Sequence, residues 1–229
     1  MSYNAFAEFY DGLTGNVEYK DRAEYIEKLI KSFGKEPGTT LDLACGTGSL
    51  TLELYRRGFD IFGVDASIDM LSEAQQKCSE DEQILFICQK MQRLNLASEI
   101  DTCICTLDSI NHLTNPKDVK ETFKRVAKYL SKEGLFIFDV NTLYKHREVL
   151  RDNCFVFDTD EVFCSWQNEL DKETDIVNIT LDFFIPDENG LYFRETEEFS
   201  ERAYLSLIHI SEPTRPLHIS YAVFCLKKK

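Results

Sequence analysis

The sequence lacks the features that mark several broad classes of protein. No stretch of its 229 residues approaches the ~18 consecutive apolar residues of a transmembrane helix. The opening residues, MSYNAFAEFYDG, have no basic region followed by an apolar one, so no secretory signal is expected. Basic residues are few, with 26 Lys and Arg against 40 Asp and Glu, and the net charge of −14 repels nucleic-acid phosphates. We therefore expect neither a membrane nor a nucleic acid as a partner.

The chain contains eight cysteines, but none is spaced as C-x-x-C, the pattern of many zinc and redox sites. We accordingly expect no metal site. Several cysteines stand inside apolar runs such as ILFICQ, where a thiol packs as a small hydrophobe. Free thiols without a secretory signal indicate a reducing, cytoplasmic setting.

Short apolar runs alternate with helical patterns from residue 20 to about residue 140. The runs TTLDLA, DIFGVD, ILFICQ, TCICTL and GLFIFDV are bounded by Gly, Asp or Ser and predict strands. Helical spacing of apolar residues predicts helices over 20–33, 48–57, 67–79 and 116–131. This alternation predicts an α/β fold with a mainly parallel sheet that helices cover on both faces.

From about residue 152 the pattern changes to strand-rich text without clear helices. The text DENG predicts a hairpin turn, because Asn-Gly favours the tight turns that join antiparallel strands. We expect residues 1–151 to form an α/β domain and residues 152–204 to form an antiparallel β insertion on the substrate side.

The clearest chemical signal is the run LDLACGTGSL, in which a strand leads through a glycine-rich turn into a helix. Gly46 and Gly48 allow a positive φ and let a ligand approach the backbone, and the helix start offers unsatisfied N–H groups. Asp65 ends the next strand, where its carboxylate can accept both hydroxyls of a ribose. The pattern predicts a nucleoside-binding site.

The same run argues against a dinucleotide. The third position of G-x-G-x-x-G/A is occupied by Thr51, and Asp42 precedes the turn, where a carboxylate would repel a pyrophosphate. A ligand with a positive end, such as S-adenosylmethionine, suits Asp42 better. An oxidoreductase that uses NAD remains a less favoured alternative, and a module that binds S-adenosylmethionine without catalysis is another.

The order of the motifs LDLACGTGSL, FGVDASIDML, TLDSINHL and GLFIFDVNT resembles that of class I S-adenosylmethionine-dependent methyltransferases. The opening FAEFYDGLT and the β insertion are similar to a subgroup of small bacterial methyltransferases, found largely in Firmicutes. The resemblance covers residues 1–204. It implies a Rossmann-like fold, S-adenosyl-L-methionine as cofactor, and transfer of a methyl group to an oxygen or nitrogen acceptor, with a small molecule favoured. It leaves the oligomeric state open.

The resemblance also implies which residues bind the cofactor. Those expected around its methionine end are Asp42, Ala44, Gly46 and Gly48. Asp65 is expected at the ribose. Those expected around the adenine are Ala66, Ser67, Met70 and Met91. Those expected beside the methyl group are Leu107, Asp108 and Ser109. The N-terminal lid helices are expected to contribute Tyr10, Tyr19 and Arg22.

Two positions near the expected site bear on its chemistry. Lys90 stands where many relatives carry an Asp that accepts from the adenine amino group, and a lysine cannot accept a hydrogen bond. Asp108 and His112 follow the fourth strand, where either side chain could take a proton from an acceptor as the catalytic base. Asp108 could instead cap the following turn, and His112 could be an ordinary loop residue.

The final segment, Leu205–Lys229, is basic in composition, whereas the rest of the chain is acidic. Its text LSLIHISEPTR, three further residues and ISYAVFCLKKK resembles the conceptual translation of a sequencing adapter with its index. We therefore expect residues 205–229 to be a non-native tail. We also expect that the last two strands of the methyltransferase fold are missing and that the chain is truncated, with activity uncertain for that reason. Whether the tail pairs with the sheet edge is left open.

Overall fold

The structure, a computed structural model, describes residues 5–15, 17–204 and 221–228. The chain divides into two compact units. The first contains the described residues of 1–13, 107–114 and 139–223, and the second contains the described residues of the remainder. Each unit is built from three separate stretches of the chain, whereas the sequence predicts one division, at residue 152.

Within the described residues, the α-helices are α1 (Ala5–Leu13), α2 (Tyr19–Ser32), α3 (Ser49–Arg56), α4 (Ile68–Lys77) and α5 (Pro116–Tyr129). The strands are β1 (Thr39–Leu43), β2 (Asp60–Asp65), β3 (Phe86–Cys88), β4 (Ile100–Cys105), β5 (Leu130–Asn141), β6 (Cys154–Asp158), β7 (Phe163–Asp171), β8 (Ile176–Pro186), β9 (Tyr192–Arg202) and β10 (Tyr221–Lys227). Shorter helical turns span Met91–Arg93, Ser109–His112 and Lys145–Leu150.

A six-stranded sheet has the order β10-β5-β4-β1-β2-β3. Strands β1 to β5 pair in parallel, with Leu41 opposite Phe62 on one side and Cys103 on the other. Parallel strands buried on both sides are mainly apolar, which explains the short apolar runs of the sequence. The mainly parallel sheet and a separate antiparallel sheet confirm the expected fold class.

The expected helices begin where local capping favours them. Ser67 precedes α4, and its hydroxyl accepts the backbone N–H of Met70 at 3.2 Å. Asn115 precedes α5, and its side chain accepts the N–H of Lys117 at 3.0 Å. Both contacts satisfy N–H groups that a helix start otherwise leaves without a partner.

Strand β10 lies at the edge of the six-stranded sheet, beside β5. Its Phe224 is buried and stacks on Phe138 with ring centroids 5.1 Å apart, while the backbone of Lys228 bonds to Glu133 and Gly134. The two strands therefore run antiparallel. The end of the adapter-like tail thus pairs with the sheet edge, the alternative that the sequence left open, whereas residues 205–220 lie outside the described residues.

The antiparallel sheet of the first unit has the order β6-β7-β8-β9. A tight turn at Asp187–Gly190 joins β8 to β9, as the DENG text predicts. Helix α1 belongs to this unit, because Phe9 and Leu13 are buried in the same apolar cluster as Val177 and Phe183. Among the described residues, no helix has the length and apolar character needed to cross a membrane.

Candidate functional site

The glycine-rich turn between β1 and α3 has an unusual backbone. Ala44, Gly46 and Gly48 all have a positive φ, of 62°, 54° and 72°. Ala44 is held there by its N–H, which donates to the carbonyl of Val64 at 2.7 Å. A Cβ on Gly48 would come within 2.8 Å of Ala74, so both its conformation and its packing require glycine. A Cβ on Gly46 would meet no described residue within 4 Å, which leaves space above the turn.

Asp65 ties this turn to the next helix. Its Oδ2 accepts the backbone N–H of Gly46 at 2.9 Å, and its Oδ1 accepts the N–H of Ser67 at 2.8 Å. The half-buried carboxylate therefore fixes the turn after β1 and the start of α4 against the end of β2. Each carboxylate oxygen has a second lone pair, so both can still accept a ligand hydroxyl.

Asp42 is almost completely buried in β1. The hydroxyl of Thr51 donates to its Oδ2 at 2.6 Å. Burial, reinforced by the charge of Asp65, raises the pKa of Asp42 to about 7, against the lowering effect of the Thr51 hydrogen bond. Thr51, the residue that breaks the dinucleotide pattern, thus orients a carboxyl group that a cationic ligand would favour in its ionised form.

The expected adenine-side residues lie on neighbouring elements of the second unit. Ser67 caps α4, and Met70 is buried one turn later. Strand β3 pairs in parallel with β2, and the N–H of Gln89 donates to the carbonyl of Asp65 at 2.8 Å. Met91 begins a short helical turn two residues later, and the side chain of Lys90 is exposed. Met91 therefore follows the strand beside Asp65, as the resemblance implies.

The expected lid residues belong to different units. Tyr19 and Arg22 lie on α2 in the second unit, and the Tyr19 hydroxyl is 3.4 Å from the hydroxyl of Thr14. Tyr10 lies on α1 in the first unit, where its ring meets that of Phe6 edge-on. Leu107, Asp108, Ser109 and His112 also belong to the first unit.

The turn after β4 is held by a buried carboxylate that the sequence analysis did not single out. Leu107 and Asp108 have positive φ values of 57° and 52°. Their backbone N–H groups donate to the two oxygens of Asp139, at 3.1 and 2.7 Å. Asp139 has no exposed surface, so its carboxyl group is held by these and other contacts within the protein. Ser109 then begins the helical turn that carries His112.

Asp108 is part of a polar group that we call the Asn141 cluster: Asp108, His112, Asn141, His146 and Glu201. The side-chain amide of Asn141 donates to Asp108 and, at 3.1 Å, to Oε2 of Glu201. Glu201 is buried, and its Oε1 is 3.9 Å from Nε2 of the half-exposed His112. Burial, followed by the charge of Asp108, raises the pKa of Glu201 well above its usual range.

His146 completes the cluster from the helical turn that follows β5. It has no exposed surface, and neither ring nitrogen makes a hydrogen bond of normal geometry among the described residues, although the backbone of Asp175 lies near enough to raise its pKa. Its Nε2 is 3.7 Å from Oε2 of Glu201. Burial lowers the pKa of His146 to about 4, so the ring is neutral near pH 7.

Sequence reasoning missed Asp139, Asn141, His146 and Glu201 as parts of the candidate site. The text FDVN at the end of β5 was a usable signal, because the ends of parallel strands collect at one edge of a sheet. Glu201 gave no such signal, since it follows several other acidic residues on β9.

Comparisons with known proteins agree with this architecture. The methyltransferase domain family matches residues 40–134. YqeM of Bacillus subtilis, which is named as a methyltransferase, is 35% identical over 206 residues, covering 89% of this chain and 81% of that protein. A crystal structure of an S-adenosylmethionine-dependent methyltransferase from Clostridium acetobutylicum has a TM-score of 0.85 and 33% identity, and covers 100% of this chain and 99% of its own.

A glycine/sarcosine N-methyltransferase of Aphanothece halophytica is more distant, with 29% identity over 138 residues, 58% of this chain and 51% of that protein. The fold, the glycine-rich turn and these relatives together define the class. The chain belongs to the S-adenosylmethionine-dependent methyltransferases. Its cofactor is accordingly S-adenosylmethionine.

Proposed function

We propose that the protein transfers the methyl group to an oxygen or nitrogen atom of a small molecule. The observation that carries this proposal is the Asn141 cluster, in which one amide bridges the carboxylates of Asp108 and Glu201. Asp108 and Asn141 stand just beyond β4 and at the end of β5, where ligands bind in open α/β sheets. The strongly acidic chain disfavours a nucleic-acid acceptor, and its eight free cysteines suit the cytoplasm.

In this proposal the second unit supplies the cofactor-binding residues. Asp42 would pair with the ammonium group, since a nearby cation shifts a buried carboxyl towards its ionised form. Asp65 would accept the ribose hydroxyls while it keeps its hydrogen bonds to Gly46 and Ser67. The open space above Gly46 and the buried Asp42 both fit a cofactor with a cationic end and no phosphate. Residues of the second unit proposed to line the remaining parts are Tyr19, Arg22, Ala44, Gly48, Ala66, Met70 and Met91. The other residues that the resemblance implies, Tyr10, Leu107 and Ser109, belong to the first unit.

When bound, the cofactor supplies a methyl group on a sulfonium, which is already an activated leaving group. The protein must therefore position the acceptor, exclude water and remove a proton. Asp108 is the first candidate for the proton, because its side chain contacts Asn141 and its backbone N–H and that of Leu107 both donate to Asp139. His112 is the second, since its half-exposed imidazole lies 3.9 Å from Glu201.

The direct test is calorimetric titration with S-adenosylhomocysteine and with NAD, followed by transfer of a labelled methyl group to small alcohols, phenols and amines. We expect micromolar binding of S-adenosylhomocysteine, no binding of NAD, and transfer to at least one acceptor class. Asp108→Asn should lower kcat at least tenfold without changing the affinity for S-adenosylhomocysteine more than threefold. Tight binding of S-adenosylhomocysteine without transfer to any acceptor would indicate a module that binds the cofactor without catalysis, and would overturn the proposal.

A further inference from the structure

We propose that the acceptor is an amine, which the protein binds as an ammonium ion between Glu201 and Asp108 beside a wall of aromatic rings. The inference rests on the proposed function and narrows its acceptor to one chemical class. It depends on contacts within the first unit alone.

The two carboxylates of the Asn141 cluster share a neutral partner. Asn141 uses its side-chain N–H groups on Asp108 and Glu201 and brings no positive charge to either. Arg202, the cation next to Glu201 in sequence, donates instead to the carbonyl of Thr114 at 3.2 Å. The charge of Lys145 lowers the pKa of Glu201, but by less than burial and the charge of Asp108 raise it. A ligand cation would therefore balance two acids that the protein itself neutralises only in part.

His146 is an independent indication that something binds beside Glu201. A buried polar atom without a hydrogen bond costs about 1–3 kcal/mol, and such atoms are few in folded proteins. Neither ring nitrogen of His146 makes a hydrogen bond of normal geometry among the described residues, although the backbone of Asp175 lies near enough to raise the pKa of the ring, and Nε2 faces the Glu201 carboxylate at 3.7 Å. Since that gap is longer than a hydrogen bond, a small shift of the carboxylate on binding a ligand would give His146 a partner.

Aromatic rings lie beside the carboxylates, and we call Phe6, Tyr10, Trp166 and Phe199 the aromatic wall. Phe199 stacks on Phe6 at 5.5 Å and lies 5.2 Å from the ring of His112. Tyr10 and Trp166 contact Phe6 and Phe199 edge-on, at 5.2 and 6.5 Å. Phe199 and Glu201 are two residues apart on β9 and so project from the same face.

This combination of groups selects for a cation. Aromatic faces attract ammonium ions through their negative quadrupole, and carboxylates pair with the same ions. A neutral alcohol would gain neither the attraction of the aromatic faces nor the ion pair with a carboxylate. The charged or titratable groups that face the site are Asp108, His112, Lys145, His146 and Glu201, with Asp175 near His146.

The proton balance also favours an amine over an alcohol. An acceptor that enters as R–NH3+ gives one proton to Glu201 or Asp108 and becomes a neutral amine with a free lone pair. That lone pair forms the N–CH3 bond as the S–CH3 bond breaks and its electron pair stays on sulfur, giving a methylated ammonium and a neutral thioether. A carboxylate whose pKa is raised by burial is a suitable base for an ammonium, whereas an alcohol would require a much stronger one.

The test uses the full chain saturated with S-adenosylhomocysteine and three matched pairs of probes: benzylamine with benzyl alcohol, ethanolamine with ethylene glycol, and D-glucosamine with D-glucose. Calorimetry at pH 7.5 should show at least one amine binding more than tenfold more tightly than its hydroxyl partner. Glu201→Gln should reduce that preference at least tenfold, because the amide retains the acceptor for Asn141 but loses the charge. Glu198→Gln, on an exposed position of the same strand, should leave the preference within twofold.

Equal binding of amine and hydroxyl in all three pairs would overturn the inference, as would a preference that survives Glu201→Gln. The affinity for S-adenosylhomocysteine, expected within threefold in every variant, reports that the fold is intact. Methyl transfer to a hydroxyl probe but to no amine would refute the amine class while supporting the proposed function. Failure to bind S-adenosylhomocysteine would instead refute the proposed function.

Discussion

The carboxylate of Asp65 holds the backbone N–H of Gly46 at 2.9 Å, so the residue expected to bind the ribose also shapes the turn expected to bind the methionine end. Removing Asp65 should therefore affect both functions. We expect Asp65→Ala to weaken the binding of S-adenosylhomocysteine at least 100-fold, since two charge-assisted hydrogen bonds contribute about 3 kcal/mol or more. Calorimetric titration measures the change.

The matched control for that experiment is Asp60→Ala. Asp60 begins the same strand, β2, and among the described residues it accepts the hydroxyl of Thr39 in an exposed contact at 3.0 Å. Its affinity for S-adenosylhomocysteine should stay within twofold of the parent. Equal losses in the two variants would show that the effect comes from β2 as a whole and not from the site.

Asp42 should make stability depend on pH in the cofactor-free protein. Its pKa rises from 3.8 to about 7 on folding, so the folded chain binds this proton more tightly than the unfolded chain. The free energy of unfolding should therefore fall as pH rises from about 4 to about 7, by up to about 4 kcal/mol for three pKa units. Asp42→Asn lacks this dependence and keeps an acceptor for Thr51.

Urea unfolding of both proteins at pH 5 and pH 8 isolates the contribution of Asp42. The variant should be the more stable protein at pH 8, by a few kcal/mol, and this advantage should shrink at pH 5. It should also bind S-adenosylhomocysteine at least tenfold more weakly. An advantage of the same size at both pH values would contradict the assignment of a raised pKa to Asp42.

Asp139 should stabilise the turn after β4. An asparagine at this position offers one acceptor where the carboxylate offers two, so one of the N–H groups of Leu107 and Asp108 would lose its bond. We expect Asp139→Asn to destabilise the protein by about 2 kcal/mol in urea unfolding. Asp158→Asn, on an exposed position of β6, should change stability by less than about 0.5 kcal/mol.

Phe224 should stabilise the sheet edge without affecting cofactor affinity. Its buried ring stacks on Phe138, and removing such a ring typically costs about 3 kcal/mol. Phe224→Ala should lower stability by about that amount, with Val223→Ala, which is only half-buried, as the milder control. Deleting residues 205–229 should leave the affinity for S-adenosylhomocysteine within threefold but promote aggregation through the exposed strand edge. A larger loss of affinity would show that β10 supports the cofactor site.

The parts that the sequence predicted well are those whose causes are local. Gly46, Gly48 and Ser67 act through backbone conformation and capping, and these effects are encoded within a few neighbouring residues. The strands β1 and β2 are short, mainly apolar runs because most of their side chains are buried. The structure places Asp65 and the turn together, as the motif implies.

The Asn141 cluster could not be predicted because its causes are distant in the chain. Asn141 is 33 residues from Asp108 and 60 residues from Glu201. Only the folding of β5 and β9 in the first unit brings the three side chains together. The place of α1 was missed for the same reason, since its partners Val177 and Phe183 lie in the antiparallel sheet.

The burial of Asp139 has a consequence for how the turn after β4 meets a ligand. The backbone N–H groups of Leu107 and Asp108 donate to a carboxyl group that is buried away from solvent. We therefore expect these two amides to exchange hydrogen more slowly than those of an ordinary loop. The left-handed conformation of Leu107 and Asp108 is therefore already in place, and a ligand that bound there, as we propose, would require no reordering of this turn. At this edge of the sheet the backbone is fixed before a ligand binds and does not fold around it.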